Sequence, residues 1–157
     1  MTFYGVVQAQ NNVTVPAEAV QFVPPSLLGD FNSDGVVDVT DVDFYSGSIG
    51  LTSADAGFNA SLDFNGNGTI ELEDHNFHIN TYVQTSNGVT GAILGDSNLD
   101  GTVDVLSDAL TLVANLNRAE PYSYATGDFN ADQYVNVLGD GFILVANLGM
   151  STDDSGN

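Results

Sequence analysis

The sequence predicts a mainly α protein with short β elements, built as four loop–helix repeats in two pairs behind an extended, β-prone N-terminal arm. Two observations carry the repeats. Asp/Asn-rich segments begin at Asp30, Asp63, Asp96 and Asp128, spaced by 33, 33 and 32 residues, and such a period marks a repeated supersecondary unit. Each is followed by eight to ten residues with helical apolar spacing, such as Phe44, Tyr45 and Ile49 after the first. Leu112, Val113 and Leu116 follow the third, and Leu144, Val145 and Leu148 follow the fourth, within near-identical V-A-N-L strings. A third observation sets the arm apart: residues 3–7, 13–15 and 20–23 are β-prone and are bounded by Pro16, Pro24 and Pro25. The arm reads either as packed on its own domain or as a strand donated to a neighbouring subunit.

Taken in order, residues 1–27 form the arm and residues 28–85 the first pair of repeats. Residues 86–93 are a linker, or with their neighbours a further strand. Residues 94–150 form the second pair, and residues 151–157 a disordered tail. The stretches before the loops, such as 50–62 and 117–127, are rich in Gly, Ser, Ala, Pro and Asn, so no periodic helix precedes a loop.

Charge narrows the function classes. The 157 residues hold 21 acidic side chains against one base, Arg118, for a formal charge of −20. Such a chain repels phosphate backbones and anionic lipid surfaces, which excludes nucleic acid as a partner. No apolar run approaches the roughly 20 residues of a membrane-spanning helix, so no membrane insertion is expected. Cysteine is absent, which removes disulfides, thiolate zinc sites and a cysteine nucleophile. The N-terminus shows no basic region followed by an apolar stretch, and the chain reads as a mature form whose export signal is gone.

The loops explain most of the acids. Loop one reads D-F-N-S-D-G-V-V-D-V-T-D and loop two D-F-N-G-N-G-T-I-E-L-E-D. A calcium ion takes six to eight oxygen ligands, and a 12-residue loop offers side-chain oxygens at positions 1, 3, 5, 9 and 12 and a carbonyl at 7. Loop one supplies Asp30, Asn32, Asp34, the Val36 carbonyl, Asp38 and Asp41. Loop two supplies Asp63, Asn65, Asn67, the Thr69 carbonyl, Glu71 and Asp74. Loop three supplies Asp96, Asn98, Asp100, the Thr102 carbonyl, Asp104 and Asp108, and loop four Asp128, Asn130, Asp132, the Tyr134 carbonyl, Asn136 and Asp140. Up to four calcium ions are expected.

The loops differ in detail. In loops three and four the closing aspartate stands at position 13, so the following helix is expected to start one residue later. Position 6, a sharp turn of positive φ, is Gly in three loops and Gln133 in the fourth. Position 8 (Val37, Ile70, Val103, Val135) is expected to enter the core, where in EF-hand-like pairs it aligns two loops.

Residues 29–38, with 95–104 and 127–136, resemble the type I dockerin repeat, in which a calcium loop is followed by its exiting helix alone, an F-hand. The resemblance covers about three-quarters of the chain. It implies two dockerin-like pairs in an extracellular or cell-surface, non-catalytic module that docks onto a cohesin-like partner. Dockerins commonly carry Ser-Thr at loop positions 10 and 11 and basic residues further along the helix. This chain has Val39-Thr40, Leu72-Glu73, Val105-Leu106 and Val137-Leu138, so the calcium ligands carry over and cohesin recognition does not.

The expected function is therefore a calcium-stabilised, non-catalytic extracellular structural or protein-interaction module. Its assembly would extend to copies of itself through the N-terminal arm, as in a surface fibre. The alternative is the docking tail of a larger secreted hydrolase. A glycosidase would need paired carboxylates, but 14 of the 21 acids sit at loop ligand positions. His75 and His78, three apart on a helix, lack a third soft ligand nearby and read as surface or packed residues. Tyr122 and Tyr124 read as packed against the helices. Asn12, Asn59 and Asn67 stand in glycosylation sequons.

Overall fold

The computed structural model describes residues 27–118, 120 and 122–153. The N-terminal arm, save Leu27, and the last four residues of the predicted tail lie outside the described residues. The described chain is mainly helical, with four short α-helices: α1 (Val39–Val42), α2 (Leu72–Thr81), α3 (Leu110–Asn115) and α4 (Phe142–Asn147). A 3₁₀ turn, Asp43–Tyr45, continues α1, and further 3₁₀ turns span Ala60–Leu62 and Tyr124–Thr126. The short β elements appear among the described residues only as isolated antiparallel bridges: Thr52 with Thr69, Gln84 with Thr90 and Thr102 with Ser151.

Each helical segment is capped at loop position 9. Asp38 caps α1 by accepting the Thr40 N–H, and Asp41 accepts the Asp38 N–H at 3.0 Å in return. Glu71 and Asp74 form the same reciprocal box at α2. Such a box satisfies N–H groups that the first helical turn leaves without partners.

The longer loops depart from expectation. Helical structure does not start a residue later; it begins at Val105 and Val137, position 10, as Val39 and Leu72 do. The extra residue is absorbed as one π-helical turn, Val105–Ala109 before α3 and Val137–Gly141 before α4. A π turn inserts one residue into a helix without breaking it, so Asp104 and Asn136 keep their caps, accepting the Ser107 and Gly139 N–H groups at 2.8 and 2.7 Å.

The core runs through both halves. Val37, Val42, Ile79 and Val83 from the first half pack in one cluster with Leu99, Val103, Leu112, Tyr124, Phe129, Val135 and Leu144 from the second. A second cluster joins Tyr45, Leu62 and Ile70 to Ala131 of the fourth loop. All four position-8 residues are buried. Their backbones do not bond to one another; each bonds to the segment behind the helix of the neighbouring repeat. The Val37 carbonyl accepts the Gln84 N–H, and Ile70 bonds to Gly50 and Leu51. Val103 bonds to Gly149 and Met150, and the Val135 carbonyl accepts the Asn117 N–H. Residues 84–93 are anchored on both sides: the Ala92 N–H reaches the Ile79 carbonyl and the Ser86 N–H reaches the Leu99 carbonyl.

Candidate metal centres

Four loops repeat one hydrogen-bonded turn. In loop one the Asp30 carboxylate accepts the Asp34 and Gly35 N–H groups, at 3.1 and 3.0 Å. Asn32 Oδ1 also accepts the Asp34 N–H, and Asp34 Oδ1 accepts the Val36 N–H. Asp63, Asp96 and Asp128 bind the amides of positions 5 and 6 in their own loops in the same way. These contacts wrap the backbone around the side-chain oxygens at positions 1, 3 and 5.

The closing aspartates behave differently. Asp41, Asp74, Asp108 and Asp140 are almost wholly buried. Asp41 Oδ1 accepts the Phe31 and Asn32 N–H groups while Oδ2 holds the helix cap. Asp140 does the same with Phe129, Asn130 and Asn136, and Asp108 with Ser97 and Asp104. One carboxylate thus ties the start of the loop to the start of the helix, at position 12 or 13 alike. Three amide bonds to Asp41 leave about one of roughly four lone-pair sites open, so the freer oxygens belong to positions 1, 3, 5 and 9 and to the carbonyl at 7.

Left-handed backbone is needed twice per loop. Position 6 has φ of +91°, +86° and +92° at Gly35, Gly68 and Gly101, and Gln133 keeps the same turn at +67°. Position 4 is left-handed as well, at Ser33, Gly66, Leu99 and Ala131. That second requirement is marked by residue type only at Gly66.

Electrostatics concentrate in the second half. Burial first, then the neighbouring Asp108 and Asp100, pushes the Asp96 carboxyl up to about 7. Burial, then Asp140 and Asp132, pushes Asp128 up to about 6. Oxygen-only donors with uncompensated negative charge suit a hard divalent cation. Among the described residues, however, no group of three or more Asp, Glu, His or Cys side chains is gathered at metal-holding separation. The loop carboxylates are instead turned onto backbone amides.

The other singled-out residues fall into the core. His75 and His78 are fully buried, and burial lowers both to about 4. His78 Nε2 donates to the Gly29 carbonyl at 3.1 Å, while His75 Nε2 and His78 Nδ1 have no partner. Both rings lie against Tyr45, at 5.2 and 5.8 Å between centroids. Tyr124 is buried edge-on to Phe129 at 5.2 Å; its hydroxyl accepts the Gly95 N–H and donates to the Ile93 carbonyl. Tyr122 packs at the edge of the same core.

No family model, curated protein or solved structure matches this chain. The functional reading therefore rests on the four loops and on the surfaces around them.

Proposed function

We propose that each loop binds one calcium ion and that the chain is a calcium-stabilised, non-catalytic extracellular module for protein assembly. The supporting observation is the fourfold recurrence of one turn, in which the first carboxylate of each loop folds the backbone around oxygens at positions 3 and 5. In this reading the repeats are loop–helix F-hands, and the reciprocal bonding of position 8 in one repeat behind the helix of the next supports taking them as two dockerin-like pairs.

The ion in each site would be held by the side chains at positions 1, 3, 5 and 9, the carbonyl at 7 and the remaining lone pair of the closing aspartate. Four ions, each adding two positive charges, would bring the formal charge from −20 to −12. Binding would then be part of folding, because the folded carboxylate clusters are costly without the cation. That fits a constitutive role at millimolar extracellular calcium rather than a cytosolic sensor.

Assembly is supported by the outer faces of α3 and α4 and of the π turns that precede them. Leu110 and Val113 of α3 and Phe142 and Val145 of α4 stand three apart on exposed faces. Leu106 and Leu138 of the π turns are 81% and 77% exposed, while Leu112 of α3 and Leu144 of α4 are buried. A helix apolar on both faces has an outer stripe that its own core does not use.

Calorimetric calcium titration of chelator-stripped protein, followed by circular dichroism, tests the reading. Four ions and a gain in helix are expected; fewer than three, or no gain, overturns it. The assembly half is tested separately by sedimentation of L106Q/L138Q in calcium against the wild type with candidate partners.

A further inference from the structure

A groove of about 720 Å³ crosses the first half of the molecule, walled by Leu27, Leu28, Phe31, Phe64, Phe77 and Tyr82. Phe64 is its centre: its ring lies 5.4 Å from Phe77, 5.5 Å from Tyr82 and 6.3 Å from Phe31. Leu27, Leu28 and Phe77 are exposed although they flank this aromatic wall. Phe31, Phe64 and Tyr82 are half-buried and Ser33, Asn59 and Ser61 line the rest, so the exposed apolar edge is Leu27, Leu28 and Phe77. Grouped exposed apolar side chains mark a place that something covers.

We propose that residues 20–23 of this chain's own N-terminal segment (Val20, Gln21, Phe22, Val23) dock in the groove, with Phe22 against Phe64, Phe77 and Tyr82. The chain itself leads to the groove. Residues 1–26 lie outside the described residues, and Leu27, the first described residue, is itself a wall of the groove. Phe22 is five residues before it, within about 18 Å at the length of an extended chain.

The groove also includes Asp30 and Asp63, so an acidic occupant is repelled. Residues 1–26 carry a single charged side chain, Glu18, in a chain of −20. Phe22 offers a ring to a wall of rings, where tilted aromatic pairs add to area burial. The tether gives the segment an effective concentration in the millimolar range, above that of any free second copy. The tether and the aromatic match do not depend on the calcium reading, whereas ions at Asp30 and Asp63 would remove the charge repulsion.

The chain contains no cysteine, which makes site-directed cross-linking clean. The full chain carrying F22C and F77C, oxidised at low concentration in calcium buffer, is expected to close an internal disulfide. Closure should run at least about tenfold faster than in a control carrying F22C and V113C, whose second position is exposed on α3. Circular dichroism verifies that both variants keep their helix. In the unsubstituted protein, nuclear Overhauser contacts between the Phe22 and Tyr82 rings are expected, which covers the case of a variant that does not fold. Equal closure rates, or absence of the Phe22–Tyr82 contact, overturn the proposal. A disulfide formed chiefly between two chains overturns it too, since the groove would then take the arm of a second copy. Loss of calcium binding with the internal cross-link intact would remove the proposed function and leave this inference standing.

Discussion

The Asp43 carboxylate accepts a hydrogen bond from the Tyr124 backbone N–H at 2.8 Å, across 81 positions of the chain. Tyr124 opens a 3₁₀ turn whose first N–H has no partner within the turn, so the acceptor comes from the other half of the molecule. Burial raises the Asp43 carboxyl above its usual range, and the Tyr124 amide pulls it back. D43A would strand that N–H and is expected to cost about 1–3 kcal/mol, with D43N losing less. Urea denaturation should show the lower midpoint; an unchanged midpoint in D43A would mean that the shared apolar core alone joins the halves.

The π turn before α3 takes up the extra residue of loop three without changing the helix phase: Asp108 stands four residues before buried Leu112, as Asp41 stands four before buried Tyr45. Deleting Ser107 would restore the spacing of loop one and is expected to cost no more than about 1 kcal/mol, the loss of the Ser107 bonds to Asp104. Inserting one alanine between Asp108 and Ala109 would instead turn the rest of the helix by about 100° and swing Leu112 out of the core, for about 2–5 kcal/mol. Urea unfolding measures both, and a deletion as damaging as the insertion would show that the π turn does not absorb the extra residue.

Gln133 holds a left-handed turn at φ +67° that glycine fills in the other loops. Q133G is expected to gain about 1 kcal/mol while keeping the position-6 amide on Asp128. The converse, G101A, should lose at least as much, because its new Cβ would stand 2.7 Å from Thr152 Oγ1. Thermal denaturation in chelator isolates the backbone effect from ion binding; a destabilised Q133G would show that the Gln133 side chain contributes more than its backbone costs.

Two opposed pH trends follow from the buried groups. His75 and His78 titrate near 6.5 when unfolded and near 4 when folded. Their neutral forms suit the fold, so stability is full above about pH 6.5 and falls as pH drops towards 4. The loss is on the order of 3 kcal/mol per histidine at most. Asp96 and Asp128 run the other way. Their folded values near 7 and 6 lie above the unfolded 3.8, so their contribution is present below pH 3.8 and lost as pH rises towards 7. A bound cation would keep both aspartates ionised and remove that second trend. Denaturation midpoints in calcium should climb from pH 4 to 6.5, a rise that H75L halves and that chelator flattens. No climb in calcium would contradict the burial of the two imidazoles.

The loops were legible because their geometry is local. An aspartate at position 1 reaches the amides of positions 5 and 6, and a cap reaches the first helical turn, whatever surrounds them; residue type and spacing are enough. Position 4 is not legible in the sequence, because Ser33, Leu99 and Ala131 carry no mark of a left-handed backbone. The extra residue before Asp108 and Asp140 was visible, but its place was not. Its position depends on the helix phase that puts Leu112 and Leu144 inside, which is a property of the packed core.

The sequence by itself determined the four loop–helix repeats and the excess of acid, since each loop is written within about a dozen residues. Tertiary structure alone decided that position 8 pairs behind the neighbouring helix, that Asp43 reaches Tyr124, and that His75 and His78 lie buried against Tyr45. Those contacts join segments tens of residues apart. Which remote surfaces meet is set by the shared core closing around all of them at once, and no short stretch of the chain encodes that.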